Sequence, residues 1–264
     1  MKVTKIHTAI FSPTGTTRKI VSALAQALYA ERSMVVHDLT YPPGIGETVI
    51  PRDHLVVIGV PVYAGRVATL AAQRLKRLRG RKTPAVAVVV YGNREFEDAL
   101  VELRDIAECL SFKVIAGCSF IGEHSFSSTD MPIAQARPDA ADLVTAREFG
   151  EKIAQLMRSG PICQEHLPVP GNEKYTAAAH NIPFTPRVND ETCTLCGACE
   201  PLCPGGAIAI TDTVTIEVEH CIHCCACIKV CPVAAVSIHA PPLLEKKHWL
   251  HENCKTRKEP QLFI

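Results

Sequence analysis

The chain has 264 residues, a formal net charge of +1 and 47% hydrophobic residues, enough to bury one large or two modest cores. The near-neutral charge gives no global case for nucleic-acid binding, and no stretch reaches the roughly 18 apolar residues of a membrane-spanning helix. No basic segment followed by an apolar run marks the N-terminus as a targeting peptide, so a soluble cytoplasmic protein without membrane insertion is expected.

Residues 2 to 11 mix polar residues with Val, Ile and Phe and read as a first strand. SPTGTT at 12 to 17 follows, and then a segment in which Ile20, Val21, Leu24 and Leu28 recur with helical spacing. A glycine-containing polar turn between strand and helix is where amides and hydroxyls converge on a phosphate, although no Walker A or G-x-G-x-x-G pattern is present. Strands are predicted at 34 to 39, 54 to 60, 85 to 90 and 114 to 120, and helices over 69 to 78, around 100 to 110 and over 140 to 157. This alternation predicts an α/β domain over residues 1–160, a doubly wound five-stranded parallel sheet with helices on both faces. Ligands of such sheets bind beyond the carboxyl ends of the strands, where the loops at 12–17, 61–66, 91–94 and 121–125 fall. The basic run from Arg74 to Lys82 sits at a helix end, where cations are favoured; a docking patch for an acidic carrier is the sharper reading.

Residues 161–186 contain five prolines when Gly160 and Arg187 bound the segment, and read as an extended linker. The cysteines then decide for a second domain at 187–240. Of thirteen, nine lie between Cys193 and Cys231, while Cys109, Cys118, Cys163 and Cys254 are scattered, which argues against a secreted disulfide scaffold. C-x2-C-x2-C-x3-C-P occurs twice, at Cys193 to Pro204 and Cys221 to Pro232. Thiolates at this spacing hold [4Fe-4S] clusters, the fourth cysteine of each run serving the other cluster. The expected ligand sets are Cys193, Cys196, Cys199 and Cys231 for one cluster, and Cys221, Cys224, Cys227 and Cys203 for the other. Zinc, whose structural sites use paired C-x2-4-C units, is the alternative metal. Gly197 and Ala226 are the small residues expected where the backbone leaves each triplet, and Cys225 is an extra cysteine outside the ligand sets. The domain carries six acidic and two basic residues against 16 and 20 in residues 1–160, so a basic partner face would complement it. The tail at 241–264 is polar and basic and is assigned no element; Trp249 is a candidate anchor to one of the domains, and a disordered end is the alternative.

SPTGTTRKI, PVYAGRV, VYGNREFEDAL and GEHS together resemble the loops of a flavodoxin-like FMN domain. With the cysteine runs, almost the whole chain resembles iron-sulfur flavoproteins of anaerobes, in which such a domain is fused to a small α+β bacterial-type 2[4Fe-4S] ferredoxin domain. The resemblance implies that Ser12, Thr14, Gly15, Thr16 and Thr17 hold the FMN phosphate. By the same pattern Pro61, Val62, Tyr63, Ala64, Gly65 and Arg66, with Tyr91, Gly92, Asn93, Arg94 and Phe96, line the isoalloxazine ring, and His124 and Ser125 lie nearby. Clusters move single electrons whereas FMN holds one or two. The expected function is therefore electron transfer between a soluble low-potential donor and an acceptor, with a redox partner protein. The alternative is an FMN-dependent reductase of a quinone, nitro compound or unsaturated ring, with His124 or Tyr91 as proton source. No acid–base constellation marks a catalytic residue.

Overall fold

The computed structural model describes residues 3–28, 34–42, 46–160, 166–175 and 184–264. Cys163, most of the Pro-Pro-Gly turn at 42–44 and the first half of the 181–186 segment lie outside them.

Strand β1 (Lys5–Ile10) feeds α1 (Thr16–Leu28), which buries Ile20, Val21, Leu24 and Leu28 along one stripe. After β2 (Met34–Asp38) and the short β3 (Thr48–Ile50), β4 (His54–Tyr63) runs through the centre of the sheet. Its continuation hairpins into β5 (Arg66–Val67) with Tyr63 opposite Arg66. Ala64 and Gly65 form the two-residue loop at φ 50° and 79°, the primed turn that matches strand twist. Helix α2 (Thr69–Leu75) is shorter than its sequence pattern, because the next residues form β6 (Leu78–Gly80) in parallel with β3. Strand β7 (Thr83–Tyr91), α3 (Ala99–Cys109), β8 (Phe112–Ile121) and α4 (Ala140–Ser159) complete the unit.

The five long strands pair in parallel in the order β2-β1-β4-β7-β8. Ranked along the chain this is 2-1-3-4-5, the flavodoxin-like order of a doubly wound sheet. The run of buried Val, Ile and Ala in β4 and β7 reflects coverage on both faces. One face packs on α1 and α4 through Ile6, Ile10, Leu24, Phe149 and Ile153; the other packs on α3 through Phe11, Val89, Leu100 and Leu103. Part of the linker lies on α3: Leu167 is buried, Arg104 donates to its carbonyl, and Tyr175 donates to Asp105 at 2.6 Å.

The second unit contains β9 (Arg187–Val188), β10 (Ile208–Ile210), β11 (Val214–Ile216), α5 (Ala226–Val230) and β12 (Val236–Ser237). Pairs β10–β11 and β9–β12 repeat one another: Ile208 opposes Ile216 as Val236 opposes Val188. The tail, assigned no element from sequence, forms α6 (Pro241–Asn253) and β13 (Gln261–Phe263). Strand β13 adds antiparallel to β8, so the chain returns to the sheet it began with. Trp249 is 47% exposed, and the buried residues of α6 are Leu243 and Leu250.

Candidate functional site

The β1–β4 switch point of the 2-1-3-4-5 order opens into a cavity of about 220 Å³. Of the residues expected around a flavin, Thr14, Thr16, Pro61, Val62, Tyr63, Ala64, Tyr91, Gly92, Arg94, His124 and Ser125 line it. The other expected residues stand outside the wall. Ser12 is buried below the turn, its N–H donating to Thr40 Oγ1 and its Oγ accepting from Arg18 N–H, and Gly15 shapes the same turn at φ 84°. Thr17 is buried against β4, and its Oγ1 has no hydrogen-bond partner among the described residues. Gly65 turns the β4–β5 hairpin. Arg66 is engaged by both Glu102 oxygens at 2.7 and 2.8 Å, with Tyr175 under its guanidinium, and so is held on the α3 side. Phe96 packs in the core against Tyr91. Asn93, at φ 66°, donates from Nδ2 to the carbonyls of Cys254 and Thr256, pinning the tail beside the cavity.

His124 and Gly92 fit together closely. A Cβ at Gly92 would lie 2.3 Å from His124 Cδ2, so only glycine lets these two loops approach. His124 Nδ1 accepts from Phe126 N–H at 3.0 Å, which places the ring proton on Nε2. Burial, reinforced by Arg94, Lys229 and Lys246, lowers the His124 pKa to about 4, so the ring is neutral at pH 7. Burial and then Glu95 push Tyr91 up to about 12. Both side chains are therefore in their neutral, singly protonated forms near pH 7.

In the second unit the cysteines wall two clefts. Cys193, Cys196, Cys199 and Cys231 surround one, with Leu195 and Val233 at its rim. Cys203, Cys221, Cys224 and Cys227 surround the other, with Cys225 and Ile222. Each cleft thus takes three cysteines from one run and the last from the other. Cys203 Sγ accepts from Ala207 N–H and Cys231 Sγ from Ala235 N–H, both at 3.2 Å, the same bond repeated 28 residues apart. Left-handed backbone repeats at the same interval: Leu195 and His223, Gly197 and Cys225, Gly206 and Ala234. Cys225, rather than Ala226, therefore occupies the position equivalent to Gly197. Burial, with neighbouring thiols adding, pushes Cys224 and Cys227 up to about 12. Among the described residues no group of three or more His, Cys, Asp or Glu side chains is arranged to hold a single metal ion.

The two units meet at the cavity. Ile222 lines both the cavity and the second cysteine cleft, and His223 lines the cavity beside it. Tyr63, on the cavity wall, has its hydroxyl pKa raised by burial and then by Cys224 and Cys225. Arg74, from the basic run, donates to the carbonyl of Pro204 at 2.6 Å and to those of Leu39 and Thr40; Lys229 pairs with Glu123 at 2.7 Å. Cavity residues outside the expected flavin-site loops include Phe126 of the first unit and, from beyond it, Ile222, His223, Leu243, Lys246 and Leu250.

Residues 185–256 match the family described as a 4Fe-4S dicluster domain. No curated protein matches the chain. Among solved structures, the chain is similar to a flavodoxin from the domain Archaea at 12% identity, covering 60% of this chain and 99% of that one with a TM-score of 0.37. It is similar to flavodoxin 1 from Bacillus cereus at 13% identity, covering 59% and 98% with a TM-score of 0.39. Rubredoxin oxygen:oxidoreductase from Desulfovibrio gigas matches at 14% identity over 60% of this chain and 36% of that one, with a TM-score of 0.39. The strand order and the family match define a sheet-and-helix unit of flavodoxin-like topology followed by a small Fer4-type 4Fe-4S domain. A general redox role follows from that pairing. No helix among the described residues is long and apolar enough to cross a membrane.

Proposed function

We propose that the chain is an electron-transfer protein that holds two [4Fe-4S] clusters and one FMN and links a soluble low-potential donor to an acceptor. The observation that carries this reading is the shared wall: Ile222 borders both a four-cysteine cleft and the switch-point cavity. Cys193, Cys196, Cys199 and Cys231 would hold the outer cluster, and Cys203, Cys221, Cys224 and Cys227 the inner one. Four sulfurs around a cleft, rather than at a point, suit a polynuclear group better than a single ion.

The cavity residues fit a flavin nucleotide. Thr14 and Thr16 border the cavity at the start of α1, whose first turn carries no acidic side chain, and Thr17 Oγ1 is a buried hydroxyl without a partner among the described residues. Those features suit a phosphate. Tyr63, Tyr91 and Gly92 offer aromatic and backbone surface to a planar ring. FMN would supply the exchange between one- and two-electron chemistry.

The test is anaerobic reduction of the holoprotein with a low-potential donor, followed by stopped-flow mixing with one- and two-electron acceptors. Cluster absorbance and flavin absorbance are expected to recover together. Clusters that stay reduced while the flavin is fully oxidised would sink the relay.

A further inference from the structure

Helix α6 closes a side of the cavity that the sheet and its loops leave open. Leu243, Lys246 and Leu250, spaced at i, i+3 and i+7, form its inner stripe and line the cavity. The helix is held there by a small core of Leu250 and Cys254 with Ile133 and Phe126, and by His251 Nδ1 on the carbonyl of Pro132 at 2.9 Å. Asn93 binds the two carbonyls that follow the helix, and Lys258 Nζ donates to the carbonyl of Arg94. The loop after β7 and the segment after β8 are therefore both tied to the tail.

Arg94 and Lys246 line the cavity, and Lys229 acts with them on His124. Arg94 is paired with Glu97 and Lys229 with Glu123, each at 2.7 Å. Lys246 differs: its Nζ stands 4.6 Å from the centroid of the Trp249 ring, and it has no carboxylate partner among the described residues. An aromatic face steadies an ammonium without neutralising it.

We infer that Lys246 is a positioning cation for the cavity's ligand, contributed by the C-terminal helix to favour the negatively charged, reduced isoalloxazine ring over the oxidised one. The inference rests on the FMN reading above. Two electrons and one proton convert neutral oxidised flavin to an anion, and a nearby unneutralised ammonium lowers the energy of the charged product only. In vitro the electrons come from dithionite and the proton from solvent.

The test uses anaerobic holoprotein, with Lys246→Met, Lys246→Arg and Lys247→Met compared with wild type. Binding of oxidised FMN is measured by fluorescence quenching, and the two-electron midpoint potential of the flavin by titration with dithionite. Lys246→Met is expected to weaken binding of reduced FMN about tenfold relative to oxidised FMN, which lowers the midpoint by about 30 mV for a two-electron couple. Lys246→Arg restores the wild-type midpoint, and Lys247→Met, on the same helix but off the cavity wall, leaves it unchanged. An unaltered midpoint in Lys246→Met with FMN bound overturns this assignment alone. Failure of the wild-type chain to bind FMN overturns the FMN reading and this inference with it.

Discussion

His7, His37 and His54 come from three neighbouring strands, β1, β2 and β4, and stack as a ladder on the sheet. His7 Nδ1 is 2.9 Å from His37 Nε2, and His7 Nε2 is 2.8 Å from His54 Nδ1, with ring centroids 5.2 and 5.0 Å apart. With one proton per ring, both bonds are satisfied when the three rings point the same way along the ladder. A doubly protonated His7 can donate to both neighbours, so burial of the charge, and not a lost bond, opposes its protonation. Burial, then His37, His54 and Lys5, accordingly lowers the His7 pKa from 6.5 to about 4, and burial lowers His37 as well. An unfolded chain binds a proton on His7 near pH 6.5, while the folded chain refuses it until about pH 4, so the ladder's contribution is complete above 6.5 and is lost as pH falls toward 4. Urea midpoints of the wild type are expected to drop between pH 7.5 and pH 5. His7→Gln should start lower at pH 7.5 and lose much of that pH dependence, the remainder belonging to His37 and His124. A variant that keeps the full wild-type slope would show that the ladder does not set it.

At the scale of elements, the two cysteine runs and the crossed pattern of two-cluster domains suggested the same four-sulfur sets that line the two clefts, because a ligand pattern is written directly in residue type. The sheet was legible for a related reason: continuous Val, Ile and Ala in β4 and β7 require burial on both faces. The tail was not legible. Helix α6 exposes Leu244 and Trp249 and buries only Leu243 and Leu250, and β13 has three residues, so neither carries the periodicity by which an element is recognised. The side-chain partners of Asn93 were not legible either, since they lie 161 and 163 residues away. The paired clefts make a prediction that spacing alone leaves open to other metals. Cys196→Ser and Cys231→Ser should each remove one cluster's absorbance and about half the iron, and the double variant should remove no more, since both sulfurs serve one cleft. Cys196→Ser combined with Cys203→Ser should remove both clusters. Measured iron that falls by runs, with Cys196 and Cys203 behaving as one site, would refute the crossed assignment.

Across the whole molecule, the cysteine-bearing unit lies between β8 and the strand that completes its outer edge, β13. Gln261, Leu262 and Phe263 pair with Ser119, Cys118 and Gly117. Before them, Arg257 pairs with Asp139 at the cap of α4, and Arg137 donates to the carbonyl of Lys258. The two units are thus joined by the linker on one side and by a returning strap on the other, and the cavity at their junction is bounded by both. This arrangement also covers an edge that would be hazardous alone. Strand β8 reads FKVIAGCSFI, with one charge in ten residues and almost every side chain buried, and an unpaired flat apolar edge recruits other chains. Deletion of residues 261–264 should remove the three paired residues and about 1–3 kcal/mol, at about 1 kcal/mol net per ladder hydrogen bond. For a chain of this size that corresponds to a fall in Tm of roughly 2–10 °C. The deleted chain should also sediment as a concentration-dependent dimer or larger species, because the β8 edge is then free to pair. A truncated protein that stays monomeric, with an unchanged Tm, would mean that β13 merely rests on the sheet and that the strap holding α6 over the cavity draws its strength from Asn93 and the ion pairs instead.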